Sequence, residues 1–241
     1  MSPLLSWRQA TVIATEDACV NTRRFWLSIP DVDVFHFAPG QFITLDLPTH
    51  EKATKRWKSY SIANGPNDTA IVELVITLAN QGLGSTWLFK HAKIGTALTF
   101  RGPQGVFTLR ESDLENELFL ICTGTGIAPF RSMLQYIDRN NLPFKKINLI
   151  FGCRTQPELL YRAEMEALAN KYPNFHYYPT LSRQQWEGHT GYMHPLYEKI
   201  TADMPEANFY ICGWKDMIDE AKVNLMAKGY AKANIRMELY G

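Results

Sequence analysis

Cysteine is scarce in this sequence and never clustered. Cys19, Cys122, Cys153 and Cys212 make no Cys-x-x-Cys pair and no four-cysteine run. That excludes a disulfide scaffold and an iron–sulfur site built on the usual spacings, and it suits a reducing compartment. An excess of charge of one sign is also missing. The 25 Lys and Arg meet 24 Asp and Glu, a net charge of +1, so nothing global favours nucleic acid or an anionic membrane surface. No apolar run approaches the roughly 18 residues of a membrane span. The opening Met-Ser-Pro-Leu-Leu-Ser-Trp-Arg has neither the charged start nor the apolar core of a signal peptide, so a cytoplasmic location is expected. His36, His91, His176, His189 and His194 show no metal-ligand spacing, which gives them structural roles and leaves no metal site to expect. Repeats and low-complexity tracts are absent too.

What is present is an ordinary globular balance, 46% hydrophobic and 20% charged over 241 residues, enough for two domains of about 100–130 residues. The first hundred residues read as short β-branched and aromatic runs bounded by Gly, Pro, Asn or Asp: Gln9–Ala18, Arg23–Pro30, Gln41–Pro48, Lys58–Asn64, Ala70–Leu78 and Ala97–Gly105. Six strands at near-regular spacing predict an antiparallel barrel, interrupted by one short helix over Ser85–His91.

Beyond residue 111 the period changes. Apolar strands at Glu117–Cys122, Lys146–Phe151, Asn174–Tyr178, Asn208–Cys212 and Asn234–Leu239 alternate with helical patterns at Ala128–Asn140, Pro157–Lys171 and Lys215–Lys228. In the second helix Tyr161, Met165, Leu168 and Tyr172 share one face, and Gly229 stops the third. Alternation of this kind predicts a parallel sheet covered on both faces. The expected organisation is two domains, a six-stranded antiparallel β-barrel over 1–110 and a Rossmann-like α/β domain over 111–241. The polar stretch Arg110–Asn116 joins them.

Three segments carry chemistry. Thr123-Gly124-Thr125-Gly126-Ile127-Ala128-Pro129 lies between the first parallel strand and its helix. Its glycines allow a tight turn against a phosphate, and the helix amides can receive the charge, although Pro129 stands where the third glycine of a full dinucleotide fingerprint would be. Gly82-Leu83-Gly84-Ser85 opens the short helix, with Ser85 as its expected cap. Lys58-Ser59-Tyr60-Ser61 combines a cation, a ring and hydroxyls on one strand, a set able to stack on a flat ring and neutralise a phosphate.

In this order, and with Gly102-Pro103-Gln104-Gly105-Val106-Phe107 and Cys212-Gly213 with Met217, these segments resemble the ferredoxin–NADP reductase family. The resemblance runs from Pro39-Gly40-Gln41-Phe42 to Glu238-Leu239-Tyr240. It implies FAD in the barrel and a pyridine nucleotide, NADP(H) or NAD(H), in the α/β domain. Tyr60 would stack on the flavin with Ser61 near its N5. Arg56, Lys58, Ser59, the strand end Ile76-Thr77 and Gly82 to Ser85 would line the rest of the FAD site. Thr123 to Gly126 would take the nucleotide pyrophosphate, with Gly213 and Met217 beside it. Cys212 would lie near the nicotinamide, Glu238 would serve as the C-terminal acid, and Tyr240 would cover the flavin's other face. The family's arginine in the flavin motif is Lys58 here, with Arg56 two residues earlier, so the phosphate is held either by a lysine without the bidentate fork or by Arg56 reaching in.

Arg154 ends the second parallel strand and Ser182-Arg183 ends the third, a set suited to the 2′-phosphate of NADP(H); NAD(H) stays open as the alternative. The expected activity is hydride exchange between nicotinamide and FAD, then single electrons to a separate carrier. The carrier expected is an acidic ferredoxin or flavodoxin that meets the cations Lys52, Lys55, Arg56 and Lys58. An NADH-dependent oxygenase reductase and an NAD(P)H:flavin reductase are the alternatives, and a monomer is expected. A non-catalytic flavin-binding subunit is disfavoured, since such relatives carry an added iron–sulfur segment for which this sequence has no cysteines.

Overall fold

The computed structural model describes residues 6–240. The chain divides into two compact units. One holds the residues up to Leu109 together with Ala128–Asn140; the other holds Arg110–Ile127 and the residues from Asn141 onward.

The first unit is built on six strands: β1 (Arg8–Cys19), β2 (Thr22–Ser28), β3 (Phe42–Asp46), β4 (Trp57–Ser61), β5 (Ile71–Thr77) and β6 (Ala97–Gln104). They pair antiparallel in the order β4-β3-β6-β1-β2-β5, and a bridge from Ile62 to Leu74 joins the two end strands into a barrel. The alternation of period two explains the interior. Phe25 and Leu27, Ile43 and Leu45, Val72, Leu74 and Ile76, and Leu98 and Phe100 all point inward and are fully or almost fully buried. Each such side chain contributes about 1.5–3 kcal/mol of transfer free energy. Two helices interrupt the strands: the single turn α1 (Ala53–Arg56), which the sequence pattern had not shown, and α2 (Leu83–His91).

Helix α3 (Ile127–Arg139) packs its length against this barrel. Arg131 donates to Glu73 Oε2 at 2.8 Å and to the Ala63 carbonyl at 3.0 Å, while Arg24 donates to Glu73 Oε1 at 2.7 Å. Glu73 is buried between two guanidiniums. Gln135 accepts from the Gly65 amide at 2.7 Å, which continues the contact one turn along.

The second unit is a six-stranded parallel sheet of β7 (Glu117–Thr123), β8 (Lys146–Cys153), β9 (Phe175–Leu181), the two-residue β10 (His189–Thr190), β11 (Ala207–Gly213) and β12 (Ile235–Leu239), in the order β10-β9-β8-β7-β11-β12. Leu118 to Cys122 of β7 are all buried, as a strand covered on both faces must be. Helices α4 (Arg162–Lys171), α5 (His194–Ile200) and α6 (Lys215–Ala227) complete the unit. Among the described residues no helix is long and apolar enough to cross a membrane.

Several expectations need correcting. The second helical pattern does not start at Pro157: Gln156–Glu158 is a single 3-10 turn, closed by a reciprocal capping box between Thr155 and Glu158. Tyr161 then takes φ +56, outside the helix, and α4 starts at Arg162. Helix α5 and strand β10 lie where no element was expected. The polar joint is not a plain linker either. Glu111–Glu115 forms a 3-10 turn that buries Asp113, whose carboxylate accepts from Tyr210 Oη at 2.7 Å and pairs with Arg236 at 2.8 Å. Burial, and then the bond to Asp113, push the Tyr210 phenol up and keep it a donor.

Candidate functional site

In the barrel unit, strand β4 sets the geometry. Lys58 and Tyr60 share one face, and Ser59 and Ser61 share the other. Tyr60 rests on the core, and burial pushes its phenol up, so the ring is a neutral platform. Helix α2 crosses beside it. A Cβ on Gly84 would stand 2.8 Å from Lys58 Cγ and 3.3 Å from Leu47 Cδ1. Glycine therefore lets the first helical turn lie against the lysine stem, and the free amides of that turn gather near the strand's cation.

Ser85 does not cap α2. The cap position is Gly82, without a side-chain bond, and Ser85 lies inside the first turn. Its hydroxyl donates to the Gly82 carbonyl and accepts from the Ala79 amide, each at 3.1 Å, so it braces the glycine turn from within. Leu83 beside it is exposed.

The two cations of the motif have different fates. Arg56 closes a bidentate fork on Asp46, Nε to Oδ1 at 2.7 Å and Nη2 to Oδ2 at 2.8 Å. Lys58 has no carboxylate partner among the described residues and stays available to an anion. The remaining expected contacts are less direct. Ser59 Oγ shares a 3.0 Å bond with Thr44 Oγ1 on the face away from Tyr60. Ile76 is buried in the barrel core, which leaves only its main chain to line a ligand, and Thr77 Oγ1 is 2.9 Å from Thr22 Oγ1. A neutral phenol ring, an unpaired lysine and a glycine-lined helix start suit a flat ring joined to a pyrophosphate. FAD has that form, so the residues fit it.

In the sheet unit every expected residue lies at the carboxyl ends of the strands. Strand order reverses between β7 and β11, and ligands of open α/β sheets bind outside that point. There Gly124 takes φ +53, while Gly126 packs so closely that a Cβ would fall on the Cys212 carbonyl oxygen. Gly213, at φ +146, would place a Cβ on Thr123 Oγ1, with Met217 Cε 3.1 Å away. Thr123, Gly126, Gly213 and Met217 therefore make one close-packed corner, with Gly124 and Thr125 in the turn between. Cys212 is sealed in it. Burial, then the neighbouring Glu238, push its thiol well above the usual range, so it is a neutral surface and not a nucleophile. Glu238 pairs with Cys212 across β11 and β12, and Tyr240 bonds through its amide to the Gly213 carbonyl at 2.9 Å. Cys212, Glu238 and Tyr240 are thus brought together.

The outer strand ends converge as well. The Ser182 amide donates to the Cys153 carbonyl and the Arg183 amide to the Arg154 carbonyl, each at 2.9 Å. This places Arg154 beside Ser182-Arg183, with both arginines exposed and neither paired to a carboxylate among the described residues. Asp113, Tyr210 and Arg236 were missed in the sequence. They sit on the opposite side of the sheet, two residues before Cys212 on β11 and before Glu238 on β12. No local signal marks them, because the pairing spans about a hundred residues.

Known proteins match both halves. The oxidoreductase FAD-binding domain family matches residues 9–109 and the oxidoreductase NAD-binding domain family matches residues 120–222. Ferredoxin–NADP reductase B of Sorangium cellulosum is 31% identical over 229 residues, covering 92% of this chain and 91% of that protein. The anthranilate 1,2-dioxygenase electron transfer component of Acinetobacter baylyi is 32% identical over 207 residues, covering 85% of this chain and 58% of that protein. The phenol hydroxylase P5 protein of Acinetobacter pittii is 32% identical over 241 residues, 96% of this chain and 65% of that one. The chain therefore spans about three-fifths of the length of these two relatives. A ferredoxin NADP+ reductase from Neisseria gonorrhoeae, solved with bound FAD and NADP, matches at a TM-score of 0.81 and 24% identity, covering 97% of this chain and 98% of that one, a likeness of fold. With both domain families in order and a reductase matched along nearly its whole length, the chain belongs to the ferredoxin–NADP reductase family of FAD-dependent oxidoreductases.

Proposed function

We propose that this chain exchanges hydride between NADP(H) and bound FAD and passes single electrons to or from an acidic carrier, a ferredoxin or flavodoxin. Residues 1–110 are assigned to FAD and 111–241 to the nucleotide. FAD supplies the conversion between two-electron and one-electron transfer. The chain supplies the rest. Tyr60 gives the ring a flat neutral face, with Ser61 next to it on the same strand. Lys58 and the first amides of α2 neutralise the pyrophosphate. Gly124 to Gly126 receive the nucleotide pyrophosphate, and Cys212 walls the nicotinamide end without reacting. Glu238 holds or moves a proton there beside Tyr240. Cys19, Cys122, Cys153 and Cys212 form no disulfide, which suits a reducing, cytoplasmic compartment, and a monomer is proposed.

The observation that carries the nucleotide choice is the pair of unpaired arginines. Arg154 and Arg183 are brought side by side by the main-chain bond between them, two exposed cations suited to a 2′-phosphate. The test is anaerobic titration of the FAD-loaded protein with NADPH and with NADH, following flavin absorbance. NADPH is expected to bleach it faster, and Arg154→Ala with Arg183→Ala to remove that preference, by about 10- to 100-fold. Faster bleaching by NADH would refute the NADP(H) choice and favour the second reading, an NADH-dependent oxygenase reductase. The names of the two Acinetobacter relatives support that reading. A protein that takes up no FAD would refute both. Loss of FAD on gel filtration would favour a flavin reductase.

A further inference from the structure

Seven arginines lie in the barrel unit. Arg8, Arg23, Arg24, Arg56, Arg131 and Arg139 each face a carboxylate. Arg101 faces none among the described residues. Its guanidinium instead sits against two indoles, 4.5 Å from the Trp57 centroid and 5.0 Å from that of Trp7. The two rings are 5.5 Å apart and tilted by 45°, a V with the arginine against both rings. Arg101 Nε and Trp57 Nε1 are both sealed from solvent without an acceptor, and Arg101 Nε alone of that side chain's nitrogens is sealed so.

The strand pattern puts this group on the outside of the barrel. Ile43, Leu45, Leu98 and Phe100 face the core, so Thr44, Asp46, Thr99 and Arg101 face outward, and Trp57 pairs with Asp46 across β3 and β4. This is the face of β4 opposite to Lys58 and Tyr60. The turn α1, with exposed Lys52 and Lys55 and no carboxylate partner for either among the described residues, leads directly into Trp57.

We infer that the Trp7–Arg101–Trp57 group is a docking socket for a carboxylate on an acidic electron-transfer protein, outside the FAD and nucleotide sites. Stacking has already ordered the guanidinium, so little rotamer freedom is lost when its open amino end takes a carboxylate in a two-point fork. Tryptophan and arginine at the centre of a patch are the composition of an interface hot spot. The place on an outer barrel wall suits a protein surface better than a small molecule, which needs a concavity. Charge decides the partner's sign, since the socket and the α1 lysines next to it offer cations with nothing opposite. The carrier class rests on the function proposed above.

The test uses the FAD-loaded chain with two probes, an acidic two-iron ferredoxin and an acidic flavodoxin. Calorimetry reads binding, and NADPH-driven reduction of ferricyanide reads the flavin chemistry without a protein acceptor. Arg101→Ala is expected to weaken binding of at least one probe roughly tenfold and to raise its KM, with ferricyanide reduction unchanged. Arg101→Lys keeps the charge but loses the fork, and is expected to recover less than half of that loss in free energy. Wild-type affinity in both variants, or binding of neither probe to the wild type, would overturn the socket. So would free glutamate in large excess displacing the probe as well as a competing acidic protein does, since the site would then be one for small carboxylates. Should Arg101→Ala fail to fold, Trp7→Leu decides: it opens the V with Arg101 in place, and unchanged probe affinity would overturn the proposal. Failure of ferricyanide reduction in the wild type with NADPH and with NADH alike would count against the flavoenzyme reading instead, while calorimetry still decides the docking.

Discussion

Three glycines at the nucleotide corner separate two demands that a side chain cannot meet, space and backbone angle. Gly126 lacks only space. A Cβ there would fall on the Cys212 carbonyl oxygen and stand 3.2 Å from Gly213 Cα, and main chain has no rotamer with which to move away. Overpacking of this kind costs about 1–3 kcal/mol. Gly124 lacks only the angle: at φ +53 it has open space around it, so alanine there costs about 1–2 kcal/mol for the left-handed conformation alone. Gly213 lacks both, with φ +146 and a Cβ on Thr123 Oγ1. Substitution by alanine should therefore lower the melting temperature in the order Gly213, Gly126, Gly124, from the largest drop to the smallest. Nucleotide affinity should follow the same order. If the full strain reached the bound state, Gly126→Ala would lose about 5- to 150-fold, from the same 1–3 kcal/mol. The assay is NADPH titration of flavin absorbance, after the FAD-to-protein ratio of each variant has been measured. That ratio should stay at the wild-type value, because the three glycines lie in the sheet unit. A Gly124→Ala variant more damaged than Gly126→Ala, or nucleotide affinity unchanged in Gly213→Ala, would refute the reasoning.

Lys58→Ala should lower FAD affinity about tenfold, while Arg56→Ala, whose guanidinium is already taken by Asp46, should leave it near wild type; equilibrium dialysis of FAD distinguishes them. Asp113→Ala leaves Arg236 partly buried without its carboxylate and Tyr210 without its acceptor, and should cost about 3 kcal/mol in urea unfolding. Burial lowers the pKa of His194, whose ring lies 2.7 Å from Tyr197 Oη and 3.2 Å from Glu220. Its neutral form is thus favoured in the fold, the stability it contributes is complete above the unfolded value near 6.5, and it is lost as pH falls through the lowered value. Melting curves between pH 7.5 and about pH 5 should show this decline, and His194→Gln should flatten it.

The sequence showed most clearly what is decided within one strand or one turn. The run Glu117–Cys122 is apolar because both faces of β7 are covered, so period and burial agree, and the glycine turn after it could be placed on the correct side of the sheet. The barrel strands were readable for the same reason. Helix α4 shows where local reading fails. Thr155, Pro157 and Glu158 are a sound helix-start signature, and the capping box forms, but it closes only one turn before Tyr161 breaks the backbone to positive φ. Helix α5 has seven residues, too few for a period to emerge, and depends on Leu196 and Tyr197 packing beneath it.

What stayed hidden depends on partners far along the chain, and these decide the chemistry of the residues that the motifs named. Lys58 and Arg56 are two nearby cations until Asp46 on the neighbouring strand takes one of them, and only then is the phosphate-facing charge assigned to Lys58. Asp113 reads as one acid in a polar joint until Tyr210 and Arg236 meet it from 97 and 123 residues away. Arg101 carries no motif at all; its distinction is that every other arginine of its unit has found a carboxylate and it has found two tryptophans. A motif identifies a residue's type and place along the chain. Whether its charge is spent inside the protein or kept for a ligand depends on the pairing, and that is a property of the fold.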